Sequence, residues 1–223
     1  RRQVIQLSAG LLACPSLGLH AAPVASSTSA LTSTLPLIQR PIPSSGELLP
    51  VIGMGTSRTF DTAGDPESLA KLTEVMQAFF GGGGKVIDSS PMYGSAETRV
   101  GDVLSAMQKT PPMFVATKVW TSGAERGIAQ MEESARRMRV KVFDLIAVHN
   151  LTDWKTQLAT LKRWKGEGKV RYIGITTSHG RNHEQLLEVM RSEPLDFVQF
   201  SYNIEDREAE QVLLPLAQER GIA

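Results

Sequence analysis

The stretch "VFDLIAVHNLTDWKTQLATLKRWKGEGKVRYIGITT", residues 142–177, contains two runs of apolar and β-branched residues separated by a helix-like segment. The first run, "VFDLIAVHN", covers residues 142–150, and the second, "VRYIGITT", covers residues 170–177. Each run is short enough to be a strand. Both are continuous rather than alternating, which is typical of parallel strands that are covered by helices. The stretch therefore predicts one strand–helix–strand unit of an α/β fold.

The same unit recurs along the chain from about residue 45 onward. Further strand-like runs are "LLPVIGMGT" (48–56), "KVIDSS" (85–90), "MFVATKVW" (113–120) and "DFVQFSYN" (196–203). From the second run to the sixth, the starts are spaced by about 28 residues, which suits a strand–loop–helix–loop repeat. We predict a (β/α)8 TIM barrel of which about six of the eight βα units are present. A doubly wound sheet is the competing fold, but "GMGTSR" lacks the third glycine of its fingerprint.

Helix-like segments lie between the strand-like runs. In "LAKLTEVMQAFF" (69–80), apolar residues recur at three- and four-residue spacings, which gives one stripe for packing on a sheet. Gly81 to Gly84 follow, and because glycine suits a helix C-cap, we interpret them as a turn and not as a phosphate-binding loop. The last segment, "REAEQVLLPLAQER" (207–220), is predicted as one helix.

Composition narrows the class of protein. The 223 residues are 41% hydrophobic and 21% charged with a formal net charge of +1, which suits one sizeable core and does not suit an electrostatic nucleic-acid binder. Cys14 is the single cysteine, so neither an intramolecular disulfide nor a cysteine-based metal cluster can form. Of the four histidines, only His179 and His183 have helical i, i+4 spacing, and we interpret them as solvated residues. No metal site is predicted.

Residues 1–36 are predicted to lie outside the barrel, as an export signal and flexible linker. Arg1 and Arg2 precede an apolar segment that is too short for a membrane span, and the pair resembles a twin-arginine signal. Two alternatives stay open: a basic N-terminus before a disordered tail, and a lipid anchor at Cys14, because "LLAC" resembles a lipoprotein box. We predict a periplasmic or exported protein, with a cytoplasmic location as the alternative.

The C-terminal end of the sequence bears on how many βα units of the barrel it contains. The sequence stops at "ERGIA", where a helix has ended at Gly221 and a seventh strand would begin. A barrel without its last two units would expose strand edges and part of its core. We therefore expect the barrel of residues 37–223 to be C-terminally incomplete.

Four polar residues fall at or after the ends of successive strand-like runs. Asp88 ends the second run, Tyr93 follows it in a loop, Lys118 is near the end of the third, and His149 is near the end of the fourth. In a barrel these positions share the C-terminal mouth, where such folds carry out chemistry. We expect Asp88 to hold Lys118 and the lysine to lower the pKa of Tyr93. The phenol could then give a proton to a carbonyl oxygen as hydride arrives, while His149 orients the substrate.

At these residues the sequence resembles the aldo-keto reductase superfamily. "VIDSSPMYGSAE" (86–97) looks like its Asp-x-x-x-x-Tyr-Gly-x-x-Glu signature, "ATKVW" like its lysine strand and "LIAVHN" like its histidine strand. The resemblance assigns the catalytic tetrad to Asp88, Tyr93, Lys118 and His149. "LIQRPIPSSGELLP" (37–50) is similar to the N-terminal β-hairpin of the family.

The resemblance also implies a nicotinamide cofactor, NADPH, with NADH as the alternative. Gln199 matches the family's glutamine on the sixth strand, while Thr176 and Thr177 stand where the family has a Ser-Asn pair. A threonine cannot reproduce both groups of an asparagine. Thr56 and Asp88 are similar to residues that contact the nicotinamide ribose.

The resemblance implies that Trp120 and Met92 line a substrate pocket. We predict an NAD(P)H-dependent oxidoreductase that reduces an aldehyde or ketone to an alcohol, with a small carbonyl compound as its partner. The alternative is a non-catalytic barrel that acts as a cofactor-binding regulatory module. Neither the particular carbonyl substrate nor the oligomeric state can be predicted from the sequence.

The twin-arginine prediction can be tested in the precursor. Replacing Arg1 and Arg2 by lysines preserves the charge but not the motif, so the precursor should stay in the cytoplasm when its fractions are probed by immunoblot. Continued export of the Lys-Lys variant, or export by the route that carries unfolded chains, would contradict the prediction.

Overall fold

The computed structural model describes residues 36–107, 112–178, 180 and 182–223. The predicted export signal, with Arg1, Arg2 and Cys14, lies outside the described residues, and so does His179. Among the helices of the described part, none is both long and apolar enough to cross a membrane.

An antiparallel hairpin precedes the main sheet. Strand β1 (Gln39–Pro41) pairs with β2 (Leu48–Pro50), with Gln39 opposite Pro50. The prediction of one strand over residues 48–56 is therefore wrong, since β2 belongs to the hairpin and the main sheet begins only at Gly53. Hairpin pairing continues one residue past Pro50, where the Val51 N–H donates to the Ile38 carbonyl at 2.9 Å. From Gly53 onward the chain pairs in parallel with the segment that begins at Val86, so the partner of the chain changes between residues 51 and 53. The predicted hairpin over residues 37–50 is confirmed.

Six parallel strands form the main sheet, and each pairs with its neighbours in chain order. They are β3 (Gly53–Gly55), β4 (Val86–Asp88), β5 (Phe114–Val119), β6 (Phe143–His149), β7 (Val170–Thr176) and β8 (Phe197–Gln199). Sequential parallel order with a helix after each strand is the pattern of a (β/α)8 barrel. The predicted architecture, with six βα units and an N-terminal hairpin, is confirmed.

The helices alternate with the strands along the chain. They are α1 (Pro66–Gly81), α2 (Ala96–Ala106), α3 (Ala124–Met138), α4 (Trp154–Gly166), α5 (His183–Ser192) and α6 (Leu213–Arg220). The N-cap of α1 is Asp65, whose carboxylate accepts a hydrogen bond from the Ser68 N–H at 3.0 Å, and its C-cap is Gly82. The glycine run after it is thus a helix end, as predicted.

The last predicted helix, over residues 207–220, is divided in the structure. A 3-10 turn covers Glu208–Glu210, and α6 begins only at Leu213. Pro215 has no N–H to bond the carbonyl of Gln211, four residues earlier. The α-helical hydrogen bonding is therefore interrupted at Gln211, and α6 begins after it.

Most of the core lies between the sheet and the helices. Ile87, Val148 and Ile175 on the strands are fully buried, as are Met76 of α1 and Leu161 of α4. The three strand residues come from the continuous apolar runs of the sequence. Strands β5 and β7 are buried on both faces, which explains why their runs do not alternate between apolar and polar residues.

A second, smaller cluster closes the end of the sheet where the strands begin. Ile42 of the hairpin packs with Phe114 and Tyr172, whose rings are stacked with centroids 5.8 Å apart. Arg171 forms ion pairs with Glu47 of the hairpin and with Asp144. The hairpin therefore covers the N-terminal end of the strands and leaves the opposite end, where their carboxyl termini lie, for a functional site.

The concave face of the sheet encloses a cavity of about 1090 Å³ that extends from the hairpin to Asp88 and Gln199. At one side of the cavity, Ala223 continues the ladder past β8: its N–H donates to Asp196 at 2.8 Å, and its carbonyl accepts from Val198 at 2.9 Å. This is the hydrogen-bond pattern of a parallel neighbour.

The close packing of α2 on α3 can be tested by adding a methyl group at the contact between the two helices. A Cβ added at Gly101 of α2 would lie well inside van der Waals distance of the Arg137 carbonyl oxygen, whereas one added at Gly166 of α4 meets nothing within 4 Å. Gly101→Ala should therefore lower the free energy of unfolding by about 1–3 kcal/mol. Gly166→Ala, the matched control, should leave it unchanged or raise it by up to about 1 kcal/mol. Equal urea midpoints for the two variants would contradict this account of the packing.

Candidate active site

A buried ion pair anchors the carboxyl ends of β4 and β5. The Lys118 ammonium donates to both carboxylate oxygens of Asp88 and to the Ser89 carbonyl, each at 2.8 Å. Lys118 is only 2% exposed. Its three N–H donors thus have three acceptors within the protein, which compensates for the removal of the charge from water. The prediction that Asp88 holds Lys118 is confirmed by this geometry.

Tyr93 lies in the turn that connects β4 to α2. Its backbone N–H donates to the Ser90 carbonyl at 3.0 Å, and its own carbonyl accepts from the Ala96 N–H at 3.0 Å, where α2 begins. The Lys118 Nζ atom is 5.3 Å from the centroid of the Tyr93 ring, which is within the range of a cation–π contact. The phenol is half-buried beside the ion pair.

His149 is the last residue of β6 and is buried. Its ring centroid lies 6.3 Å from that of Tyr93, edge to face, and 6.4 Å from that of Trp120. Burial, and then the charge of Lys118, lower the pKa of His149 to about 4. The imidazole is therefore neutral at physiological pH.

The prediction that Lys118 lowers the pKa of Tyr93 is wrong for this structure. Burial, and then the negative charge of Asp88, raise the pKa of Tyr93 above its ordinary value. The half-buried position of the phenol and the nearby Asp88 carboxylate both disfavour a negatively charged phenolate. Tyr93 therefore keeps its proton over the physiological pH range.

Thr56 contacts the end of β4 at Asp88 and Ser89. It is fully buried, and its hydroxyl is 3.0 Å from the Asp88 carbonyl oxygen and 2.9 Å from the Ser89 hydroxyl. Its backbone N–H also donates to the Asp88 carbonyl at 3.1 Å. Thr56 thus supports the main chain at the end of β4, and its hydroxyl is already engaged there.

Thr176, Thr177 and Gln199 lie together at the ends of β7 and β8. Thr176 is opposite Gln199 in the strand register, and the Thr177 N–H donates to the Gln199 carbonyl at 2.9 Å. The Thr177 hydroxyl is buried and makes no hydrogen bond to the described residues, while Gln199 is exposed. The pair of strands thus offers a hydroxyl and an amide side chain on the mouth side of the sheet.

Met92 and Trp120 are large apolar side chains that stay exposed near the tetrad, at 41% and 43% of their surface. Trp120 follows β5, and its main chain is held by Gln130 of α3, whose side-chain oxygen accepts from the Trp120 N–H at 2.6 Å. Exposed apolar surface beside buried polar groups is typical of a pocket wall.

Two contacts at the site were not anticipated from the sequence. The Ser90 hydroxyl lies 3.2 Å from the Nδ1 atom of His149. Glu97, fully buried at the start of α2, accepts a hydrogen bond from the Thr117 hydroxyl at 2.7 Å and so ties α2 to the outer face of β5 beside Lys118. The sequence places Ser90 near the site, because it lies between Asp88 and Tyr93, but it does not indicate that the hydroxyl contacts His149.

No group of three or more potential metal ligands occurs within residues 36–107, 112–178, 180 and 182–223. His183 begins α5, and its Nδ1 atom lies 3.6 Å from the Glu208 carboxylate.

The fold and the site together define an α/β-barrel protein with an aspartate–lysine pair, a tyrosine and a neutral histidine at the carboxyl ends of its strands. A family model described as the aldo/keto reductase family matches residues 51–223. The chain belongs to this family.

Known relatives are similar over most of the chain. The methylglyoxal reductase YeaE of Escherichia coli (strain K12) is 27% identical over 191 residues, which cover 82% of this chain and 65% of the relative. The glyoxal reductase of Bacillus subtilis (strain 168) is 24% identical over 67% of this chain and 53% of the relative. The chain thus spans between about half and two thirds of the length of these relatives.

A solved structure has a similar fold. The aldo-keto reductase from Klebsiella pneumoniae in complex with NADPH superimposes with a TM-score of 0.69 at 21% sequence identity, over 83% of this chain and 66% of that chain. This likeness supports the barrel architecture.

The lowered pKa of His149 predicts how stability depends on pH. Its pKa is about 4 in the folded protein and 6.5 in its reference state, so between these values the unfolded chain binds the proton first. The stability contributed by neutral His149 is thus fully present above about pH 6.5 and is lost as the pH falls toward about 4. The non-titrating variant His149→Gln should lose less stability between about pH 7.5 and 5 in urea unfolding. An equal loss in both proteins would contradict a depressed pKa.

Proposed function

We propose that this protein is an NAD(P)H-dependent oxidoreductase that reduces an aldehyde or ketone to an alcohol. The observation that carries the proposal is the arrangement around Lys118: its ammonium is held by Asp88, the ring of Tyr93 lies above it, and neutral His149 lies beside it. This arrangement places a proton donor, a fixed positive charge and a neutral hydrogen-bonding ring around one point.

Each residue has a role that follows from its surroundings. Tyr93 keeps its proton at physiological pH and would donate it to the carbonyl oxygen of the substrate. Lys118 stabilises the negative charge that develops on that oxygen. His149, being neutral, can donate one hydrogen bond to the same oxygen without adding a second positive charge. In the reverse direction the phenolate of Tyr93 would accept the proton back.

The chain's residues fit a nicotinamide cofactor, which when bound supplies or accepts the hydride. The buried Thr177 hydroxyl, without a partner among the described residues, lies next to Gln199, and the two could hold the carboxamide group. Thr176 and the backbone around Thr56 and Asp88 complete the proposed site. We propose NADPH as the cofactor, supported by the NADPH-bound relative from Klebsiella pneumoniae, with NADH as the alternative.

We propose a small carbonyl compound as the substrate. The names of the relatives from Escherichia coli and Bacillus subtilis, a methylglyoxal reductase and a glyoxal reductase, support this class. The exposed faces of Met92 and Trp120 would supply the apolar walls of the pocket.

The second candidate is a barrel that binds the cofactor and regulates a partner without turnover. It predicts nucleotide binding without reduction of any carbonyl. Finding nucleotide bound to protein purified from its native compartment, followed by an assay for its oxidation with carbonyl compounds, separates the two candidates.

We also propose, from residues 1–36 alone, that the protein is exported. A reductase outside the cytoplasm would need its cofactor supplied there. Export in the folded state would let cofactor travel inside the protein, and a partner would be needed to reduce it again after each turnover.

Tyr93→Phe tests the mechanism. The substitution removes the phenolic proton donor and keeps the ring, so carbonyl reduction by the full-length protein should fall by about 10²–10⁴-fold. Binding of NADPH, followed by fluorescence titration, should be unchanged.

Tyr172→Phe is the matched control. It makes the same chemical change at the opposite end of the strands, where the Tyr172 hydroxyl donates to the Glu47 carboxylate at 2.7 Å, and it should retain turnover. Unchanged turnover in Tyr93→Phe would refute the role of Tyr93 as the acid.

A further inference from the structure

We propose that Ser90 is a positioning residue for His149: its hydroxyl donates a hydrogen bond to Nδ1 and holds the ring as the Nε2–H tautomer. The significance of this contact for catalysis rests on the proposed reductase function. The contact itself and the tautomer that it selects depend only on the geometry of the folded chain.

The hydrogen bonds available to Ser90 determine the direction of the contact. Ser90 is fully buried, its Oγ atom lies 3.2 Å from Nδ1 of His149, and the Met92 N–H points at the same Oγ atom from 3.5 Å. A serine hydroxyl has one proton to donate. Since Met92 can only donate, Nδ1 of His149 is the acceptor that the described residues offer to that proton.

The opposite tautomer of His149 would leave the Ser90 hydroxyl proton without a hydrogen-bond acceptor. If Nδ1 carried the proton, both His149 and Met92 would donate to Ser90 Oγ, and the serine proton would have no acceptor among these contacts. A buried donor without a partner is strongly disfavoured relative to one that is paired. The Nδ1 atom therefore accepts, and it does not donate.

Because the His149 ring is neutral, the role of Nδ1 as an acceptor also determines which nitrogen carries the single ring proton. Burial and the nearby Lys118 lower the pKa of His149 to about 4, so the ring holds one proton at neutral pH. With Nδ1 as an acceptor, that single proton lies on Nε2. The Nε2–H group can then donate to a carbonyl oxygen, whereas the other tautomer would present a lone pair to an oxygen that is becoming negative.

Ser90 also links His149 to Tyr93. Its backbone carbonyl accepts from the Tyr93 N–H at 3.0 Å, while its side chain contacts His149. One residue of the turn after β4 thus contributes to the placement of both rings, whose centroids are 6.3 Å apart.

The tautomer can be observed directly by ¹⁵N NMR of the full-length protein labelled at histidine, without cofactor or substrate. His149→Asn identifies the signals of His149 among the histidines. We expect a protonated Nε2 and a non-protonated Nδ1, with the Nδ1 resonance displaced by its hydrogen bond from that of a free nitrogen of this type. A protonated Nδ1 in the wild-type protein would overturn the proposal.

Two serine variants separate this contact from a general loss of packing. Ser90→Ala should shift the Nδ1 resonance of His149 toward that of a nitrogen without a hydrogen bond, or give a mixture of tautomers. Ser89→Ala removes the neighbouring buried hydroxyl, which contacts Thr56 and not His149, and should leave the resonance in place. An unchanged Nδ1 resonance in Ser90→Ala would refute the hydrogen bond.

Kinetics then test the catalytic significance. Because one hydrogen bond is removed, Ser90→Ala should lower kcat by about 2- to 10-fold, with little change in KM for the carbonyl substrate. A higher KM with unchanged kcat would show that Ser90 contributes to the pocket and does not position His149. If Tyr93→Phe retains turnover while the NMR result holds, the proposed mechanism fails and the tautomer assignment stands.

Discussion

The ammonium of Lys118, buried between the Asp88 carboxylate and the Ser89 carbonyl, is the interaction on which the site depends. A charge in this position is tolerated only because its donors are matched, and removing one partner of such a pair typically costs about 3–5 kcal/mol. Burial is the main cause of the pKa shifts of its neighbours, and the pair adds to both. Its lysine helps to keep His149 neutral, and its aspartate helps to keep Tyr93 protonated.

The scaffold holds this pair rigidly from two sides. On the outer face of β5, Glu97 of α2 binds the hydroxyl of Thr117, the residue before Lys118. Next to the pair, Thr56 bonds the main-chain carbonyl of Asp88 and the hydroxyl of Ser89. The polar groups of the candidate site are thus supported by buried groups behind them, which is how sites on strands keep their geometry.

The parts of this structure that could be predicted are those governed by repeated local patterns. The spacing of the continuous apolar runs predicted the parallel sheet, and the strand-end positions predicted that Asp88, Lys118 and His149 would share one end of it. The division of residues 48–56 between the hairpin and the main sheet was missed because the apolar run continues while its pairing partner changes. The split before Leu213 was missed because the helical pattern continues through Pro215, which lacks a backbone N–H. The direction of the Tyr93 pKa shift was missed because it depends first on how far the phenol is buried and then on its distance from Asp88, neither of which the sequence pattern specifies. The contact of Ser90 with His149 joins residues 59 apart in the chain, and no local pattern specifies it.

The chain-order pairing of the strands has a consequence for how the protein reaches its folded state. Each parallel ladder joins segments separated by about one βα unit, so each closes a loop of similar and moderate length, and the sheet can grow by successive addition of units. The hairpin is different, because Glu47 pairs with Arg171, 124 residues away. A contact between residues so far apart costs more loop-closure entropy than the pairing of neighbouring strands. We therefore expect the hairpin to dock after those strands have paired, and to cover the cluster of Phe114 and Tyr172 last.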